Sequence, residues 1–191
     1  MELSGQLTVL REFRISDLDD YLAIAGDDRV TSWMAFDSYD RTKAEQNLAG
    51  IVQRSALEDR PDYMLAITRP NDDRVIGFGR IAPSGSTAAK LGYAIGADHW
   101  GHGYATDAAR ALLRFAFGTL GRHRVTAAIG PENEASIAVV KRIGFTYEGQ
   151  LRDHVFTNGA WRDSRLYSLL DHEYADRATL GAWPPPPSPP S

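Results

Sequence analysis

At 191 residues the chain has room for one domain of roughly 150 residues and a tail, and is too short for a multidomain assembly. Hydrophobic residues make up 43% of it, enough for a core without staples, and the lack of cysteine excludes disulfides, thiolate metal sites and a cysteine nucleophile. Twenty-one basic against twenty-five acidic side chains leave a net charge of −4, which gives no electrostatic reason to bind nucleic acid or an anionic membrane.

The start Met1-Glu2-Leu3 lacks the basic and apolar blocks of a secretory leader. The longest uncharged run within residues 1–178, at 81–89, has nine residues, short of the ~20 needed to cross a bilayer. The chain is therefore expected to be soluble and cytoplasmic. Residues 6–13 alternate like a strand, and Ser16-Asp17-Leu18-Asp19 opens a helix with a hydroxyl cap and first-turn acids. Thr42-Lys43-Ala44-Glu45 spells a capping box ahead of the helical stripe Ala44, Leu48, Ile51 and Val52. Between these helices lies the bulky run Trp33-Met34-Ala35-Phe36. Residues 63–68 and 75–81 flank a polar turn and predict two antiparallel strands.

Further on, 91–95 predicts a buried strand, 96–103 a glycine-bearing loop, 105–117 an amphipathic helix and 125–129 another strand. A short helix with the stripe Ile137, Val140 and the stem of Lys141 ends at Gly144, a left-handed terminator. Residues 146–156 and 161–170 form a hairpin across Asn158-Gly159, the strongest short-range hairpin signal. The domain is assigned to residues 1–178, and residues 179–191, rich in proline, to a solvated tail.

The segment Gly101-His102-Gly103-Tyr104-Ala105-Thr106 joins a strand to a helix and presents backbone N–H groups and the positive end of a helix dipole, a site suited to phosphate. A tight turn with close helix packing fits the segment equally well. No Gly-Lys-Ser or Gly-Lys-Thr occurs, which excludes a Walker loop. A dinucleotide fold is the rival: Gly101-x-Gly103-x-x-Thr106 nearly spells its fingerprint, with Glu132 for a ribose hydroxyl. It lacks the third glycine and the strand–helix alternation of a doubly wound sheet. His99 and His102 carry no metal-ligand pattern, so no metal is expected.

At Trp100-Gly101-His102-Gly103-Tyr104-Ala105-Thr106-Asp107-Ala108, followed by Asn133-Glu134-Ala135-Ser136 and Ile143-Gly144-Phe145, the chain resembles the GNAT superfamily of N-acetyltransferases. It is most similar to the RimJ/RimL-like branch, which includes enzymes acetylating ribosomal-protein N-termini. The likeness spans about residues 7–174, including Leu10-Arg11, Ser16-Asp17, Arg152, Gly159, Asp163 and Tyr167. It implies an α/β (α+β) fold: a mixed, mostly antiparallel seven-stranded sheet with a splayed central parallel pair, 91–95 and 125–129, flanked by about four helices. It also implies acetyl-CoA as cosubstrate, with the pyrophosphate on Gly101, His102, Gly103, Tyr104, Ala105 and Thr106. The pantetheine arm falls on Asn133 and on strand backbone at Ala94 and Ile95, and a phosphate on Lys141. Trp100 replaces the Gln or Arg that usually opens the loop motif. For Asn133 the plain alternative is a helix N-cap.

Acetyl transfer to an amine needs a neutral nitrogen, a polarised thioester carbonyl and a proton for the leaving thiolate. An α-amine is roughly 9–17% neutral at pH 7, whereas deprotonating lysine costs about 4.6 kcal/mol. Without cysteine an acyl-cysteine relay is impossible, and direct attack on bound acetyl-CoA is expected. Many relatives supply the thiolate proton from a tyrosine that corresponds to Val140 here; Ser136 matches the serine that takes this role in the RimJ/RimL-like branch, a supporting place in the first helical turn being the alternative. The acid that some relatives use as base falls at Val155, which leaves His154 and Asp153 as candidates, or as ordinary strand residues. The acceptor is expected near Trp33, Phe36 and Tyr39, with Asp37, Asp40 and Asp153 available to a cationic amine.

The expected activity is N-acetyl transfer to a primary amine, either a protein or peptide N-terminus or a small molecule, by a monomer or homodimer without nucleic-acid or membrane partners. A CoA-binding module that has lost catalysis, suggested by Val140 and Val155, and a dinucleotide-dependent oxidoreductase are the competing classes.

Overall fold

A computed structural model describes residues 1–179. The strands are β1 (Glu2–Ser4), β2 (Val9–Glu12), β3 (Tyr63–Arg69), β4 (Asp72–Ser84), β5 (Ala88–Ile95), β6 (Arg124–Ile129), β7 (Thr146–Thr157) and β8 (Ala160–Leu170). The helices are α1 (Leu18–Ala25), α2 (Asp28–Thr31), α3 (Arg41–Ser55), α4 (Tyr104–Arg114), α5 (Glu134–Arg142) and α6 (Asp171–Thr179). All strands join one sheet in the order β1-β2-β3-β4-β5-β6-β8-β7, antiparallel throughout except for β5 and β6. That single parallel pair removes the doubly wound alternative, which needs a mainly parallel sheet.

Period-two alternation splits the core. Leu65, Ile67, Leu91, Val125, Tyr167 and Leu169 face α4 and α5, whose Leu112, Leu113, Ile137 and Val140 pack on them. Ala66, Phe78 and Ala94 face the other way, against Tyr21 and Ile24 of α1 and Leu48 and Ile51 of α3. None of the helices among the described residues is long and apolar enough to cross a membrane.

The expected class holds, but with eight strands and six helices in place of seven and about four. The extra strand is β1, ahead of the strand expected at 6–13, which is itself cut back to Val9–Glu12. Gly5 N–H donates to Thr8 C=O at 2.8 Å, and the turn this closes separates β1 from β2. The α1 cap is Asp17, not Ser16, preceded by a 3₁₀ turn at Ile15–Asp17. Its carboxylate accepts from Arg14 N–H at 2.7 Å and from Arg11 Nη1 and Nη2 at 2.8 and 2.9 Å. The α3 cap is Asp40, which accepts from Lys43 N–H at 2.7 Å, not Thr42. A carboxylate two residues upstream wins the helix start because it reaches a free first-turn N–H. The helix expected to 117 stops at Arg114 and passes into a π-helical turn, Phe115–Thr119. The hairpin forms across Asn158 (φ 49°) and Gly159 (φ 70°), both left-handed as the tight turn demands. The tail expected at 179–191 lies outside the described residues apart from its first residue.

Candidate active site

The central pair is joined only at its base. Ala88 pairs with Arg124, Ala89 with Val125 and Lys90 with Thr126, and there the pairing ends. Beyond it β5 stays on β4 as far as Ile95 opposite Gly77, and β6 stays on β8 as far as Ile129 opposite Arg165. Each strand keeps its outer partner while the inner edges diverge, which opens a split between 91–95 and 127–129. Two hydrogen bonds fix which β5 residues face it: Gly96 N–H donates to Ile76 C=O on the β4 side, and Ala89 C=O accepts from Thr126 Oγ1 on the β6 side. Alternation then turns the main-chain N–H and C=O of Tyr93 and Ile95 to the split and those of Ala94 to β4. Of the two strand residues named for the arm, Ile95 therefore turns its main-chain groups to the split and Ala94 to β4, and Tyr93 faces the split beside Ile95.

The mouth of the split is the turn from Gly96 to α4. Trp100 Nε1 donates to Ile95 C=O at 2.7 Å and closes this turn. Gly101 (φ 81°) and Gly103 (φ 82°) are left-handed, a conformation costing other residues roughly 1–2 kcal/mol, and an added Cβ at Gly101 would meet nothing within 4 Å. The first helical hydrogen bond of α4 runs from Asp107 N–H to Gly103 C=O at 3.1 Å. The N–H groups of Tyr104, Ala105 and Thr106 precede it and find no acceptor among the described residues, so they face outward with the positive helix end. The buried Thr106 carries its hydroxyl 3.5 Å from Arg142 Nη1. His102 stacks on Tyr104 with ring centroids 5.6 Å apart. Of the two adjacent cations on α5, Arg142 rather than Lys141 is the one directed at this loop.

Asn133 caps α5, accepting from Ser136 N–H at 3.0 Å. This is the plain alternative, and it commits the side-chain oxygen. Ser136 Oγ has no partner among the described residues. Val140 is fully buried in the core. The Tyr93 side chain crosses from β5 to α5, its hydroxyl donating to Ser136 C=O at 3.3 Å, and burial pushes its pKa up to about 12.

On the opposite face, β7 and β8 shift register between Leu151 and Val155, where Arg152, Asp153 and His154 bulge out against Asp163. Asp153 is left-handed (φ 47°) and exposed, and its N–H donates to Asp163 Oδ1 at 2.9 Å. That contact and Gln150 hold the Asp163 carboxyl below the usual range. His154 Nδ1 lies 3.0 Å from Oγ of the buried Ser164. The bulge thus brings His154, but not the Asp153 carboxylate, to a defined partner. Trp33 is exposed, whereas Phe36 and Tyr39, 4.8 Å apart, pack on the α1–α3 core. Asp37 holds the hairpin tip, accepting from Thr157 Oγ1 and Asn158 N–H at 2.7 Å each, while Arg162 Nη1 donates to Ser32 C=O at 2.6 Å. Two of the carboxylates expected to be free for a cationic amine are therefore occupied, Asp37 by the hairpin and Asp40 by its cap.

Sequence reasoning missed Tyr93, Arg142, Ser164 and Asp107. The last accepts from Gln6, Leu7 and Thr8 N–H, each at 2.9 Å, and from Thr8 Oγ1 at 2.7 Å, which ties the β1–β2 turn beneath the loop.

Comparison with known proteins agrees with the fold. The family described as "Acetyltransferase (GNAT) domain" matches residues 8–146. A Bacillus licheniformis protein named uncharacterized N-acetyltransferase p20 is 29% identical over 168 residues, 87% of this chain and 94% of the relative. The [Ribosomal protein uS5]-alanine N-acetyltransferase of Escherichia coli is 33% identical over 115 residues, 59% of each. The structure of Mycobacterium smegmatis RimJ in complex with CoA-disulfide superposes with a TM-score of 0.81 at 24% identity, over 96% of this chain and 97% of that one.

Proposed function

The chain belongs to the GNAT acetyltransferase family, and on that premise we propose that it carries the acetyl group of acetyl-CoA directly to a free α-amine at a protein or peptide N-terminus, small-molecule primary amines being the other acceptor class. The observation that carries this is the split between β5 and β6 with the bare N–H groups of α4 at its mouth. Those N–H groups, the Thr106 hydroxyl and Arg142 suit a pyrophosphate, and a glycine-lined approach lets it reach the backbone. The N–H groups of Tyr93 and Ile95, turned to the split, suit the arm and the thioester carbonyl, where a fixed donor stabilises developing negative charge.

The α-amine preference is supported by the base. His154 is exposed on its bulge, and among the described residues its ring pairs with the Ser164 hydroxyl and forms no ion pair with the nearby carboxylates, of the kind that would drive deprotonation of a lysine. An α-amine, roughly 9–17% neutral at pH 7, needs little more than a nearby acceptor for the proton it sheds. A relative named for an alanine of a ribosomal protein as acceptor points the same way. On the α5 side, the unpaired Ser136 hydroxyl is proposed to hydrogen-bond the leaving sulfur. The test is thiol release from acetyl-CoA, with mass spectrometry of a panel of peptides and small amines. Acetylation of peptide N-termini ahead of lysine side chains and diamines is expected. Turnover confined to lysine side chains or polyamines overturns the α-amine assignment, and CoA binding without turnover on any amine overturns the activity in this chain.

A further inference from the structure

The walls of the split are poor in proton-bearing groups. Leu91 and Ile95 of β5, Ala127 and Ile129 of β6 and Val140 of α5 are all buried and apolar. Beside them stand the O–H groups of Ser136, at the first turn of α5, and of Tyr93, whose ring spans from β5 to that same turn. The Tyr93 hydroxyl links β5 to the first turn of α5. Its contact with Ser136 C=O, at 3.3 Å, is a long bond to a neutral carbonyl already inside the α5 helix. A sulfur anion forming beside it is the stronger acceptor, and the hydroxyl exchanges one for the other by rotating about its C–O bond.

We propose that Tyr93 supplies the proton taken by the coenzyme A sulfur as it leaves, with Ser136 orienting that sulfur. The proposal rests on the acetyl-transfer reading above. In the step, the amine nitrogen bonds to the acetyl carbon, the carbon–sulfur bond breaks, and the sulfur takes the Tyr93 hydroxyl proton. The nitrogen sheds its extra proton toward His154 and solvent, and the phenolate regains one from solvent, so the products are the amide and the free thiol. Burial keeps the phenol protonated throughout the working range. The same desolvation raises the proton affinity of a thiolate in the split, so donor and acceptor shift together.

Tyr93→Phe keeps the ring in place and removes only the hydroxyl. It is expected to lower kcat at least about 100-fold, in the range of general acid catalysis, with the Kd for CoA and the thermal midpoint unchanged. Incorporation of 3-fluorotyrosine at position 93, which restores an acidic hydroxyl, is expected to return kcat to within about threefold of the wild type. Ser136→Ala is expected to have the smaller effect of the two. If Tyr93→Phe turns over within about threefold of the wild type, or if Ser136→Ala alone abolishes turnover while Tyr93→Phe does not, the assignment is wrong. A wild-type chain that binds CoA but acetylates no amine overturns the parent reading and this one with it.

Discussion

The contact of Asp107 with the β1–β2 turn is the most sharply testable link between the chain start and the loop that opens α4. Asp107→Ala removes an acceptor serving four donors. Gln6 and Leu7 are exposed and their N–H groups turn to water, but Thr8 is fully buried, so its N–H and hydroxyl are stranded. Each stranded donor costs about 1–3 kcal/mol, which makes the substitution destabilising by about 4 kcal/mol. At roughly 2–4 °C per kcal/mol for a chain of this size, the thermal midpoint should fall by about 8–16 °C. Gly5 gives the control, because a Cβ there would lie 2.0 Å from Asp107 Oδ2. Gly5→Ala should therefore be destabilising beside Asp107 and much less so in the Asp107→Ala background, with a coupling of at least about 1 kcal/mol. Thermal unfolding of the two single variants and the double variant measures this. A midpoint lowered by less than about 3 °C in Asp107→Ala, or strict additivity with Gly5→Ala, would refute the account.

Arg142→Ala should weaken CoA binding about tenfold, a loss near 1.4 kcal/mol, while Lys141→Ala changes it by less than about twofold; calorimetric titration at low salt compares them, and equal losses would remove Arg142 from the loop. Asp37→Ala should raise the acceptor KM with little change in the Kd for CoA, and should speed amide exchange at Asn158. The Asp37 carboxyl is held below its ordinary range, first by the Thr157 hydroxyl and then by Asn158 N–H. A group with a depressed folded pKa contributes above its unfolded value, about 3.9, and loses that contribution as pH falls through the folded one. The Asn158 protection factor should thus be flat from neutrality to about pH 5 and drop in stronger acid; a drop centred near neutrality would implicate a histidine instead.

What the sequence revealed was what its short-range patterns encode. The stripe of Ile137 and Val140 and the Asn158-Gly159 turn are local, and all appear as expected. The break between β1 and β2 was not legible, because the turn at 5–8 is held by a carboxylate about a hundred residues away. At α2, four residues are too few to show helical periodicity. The bulge at Arg152, Asp153 and His154 is set by the offset between β7 and β8, a relation between strands that neither strand carries alone. For the site, the small-residue loop was visible because left-handed backbone favours glycine. The approach of Arg142 to Thr106 was not, since two adjacent exposed cations look alike until the end of α5 is placed beside that residue.

The phase of β5 was the subtlest miss, and it shows why this split is a place for a ligand. Strand 91–95 reads the same whether Ala94 or Tyr93 faces the partner, and the parity is decided outside it, by Gly96 N–H bonding Ile76 C=O. Once decided, β4 satisfies Ala94, while Tyr93 and Ile95 are left with main-chain groups on an inner edge that has lost its partner. Main-chain groups at an open inner edge are costly to bury unless something bonds them. Trp100 answers for one, the Ile95 carbonyl. The N–H groups of Tyr93 and Ile95 remain, both turned to the split. Because β5 keeps β4 and β6 keeps β8, this opening sacrifices neither strand's outer pairing, and an extended arm carrying its own amides and a thioester carbonyl can complete the edge.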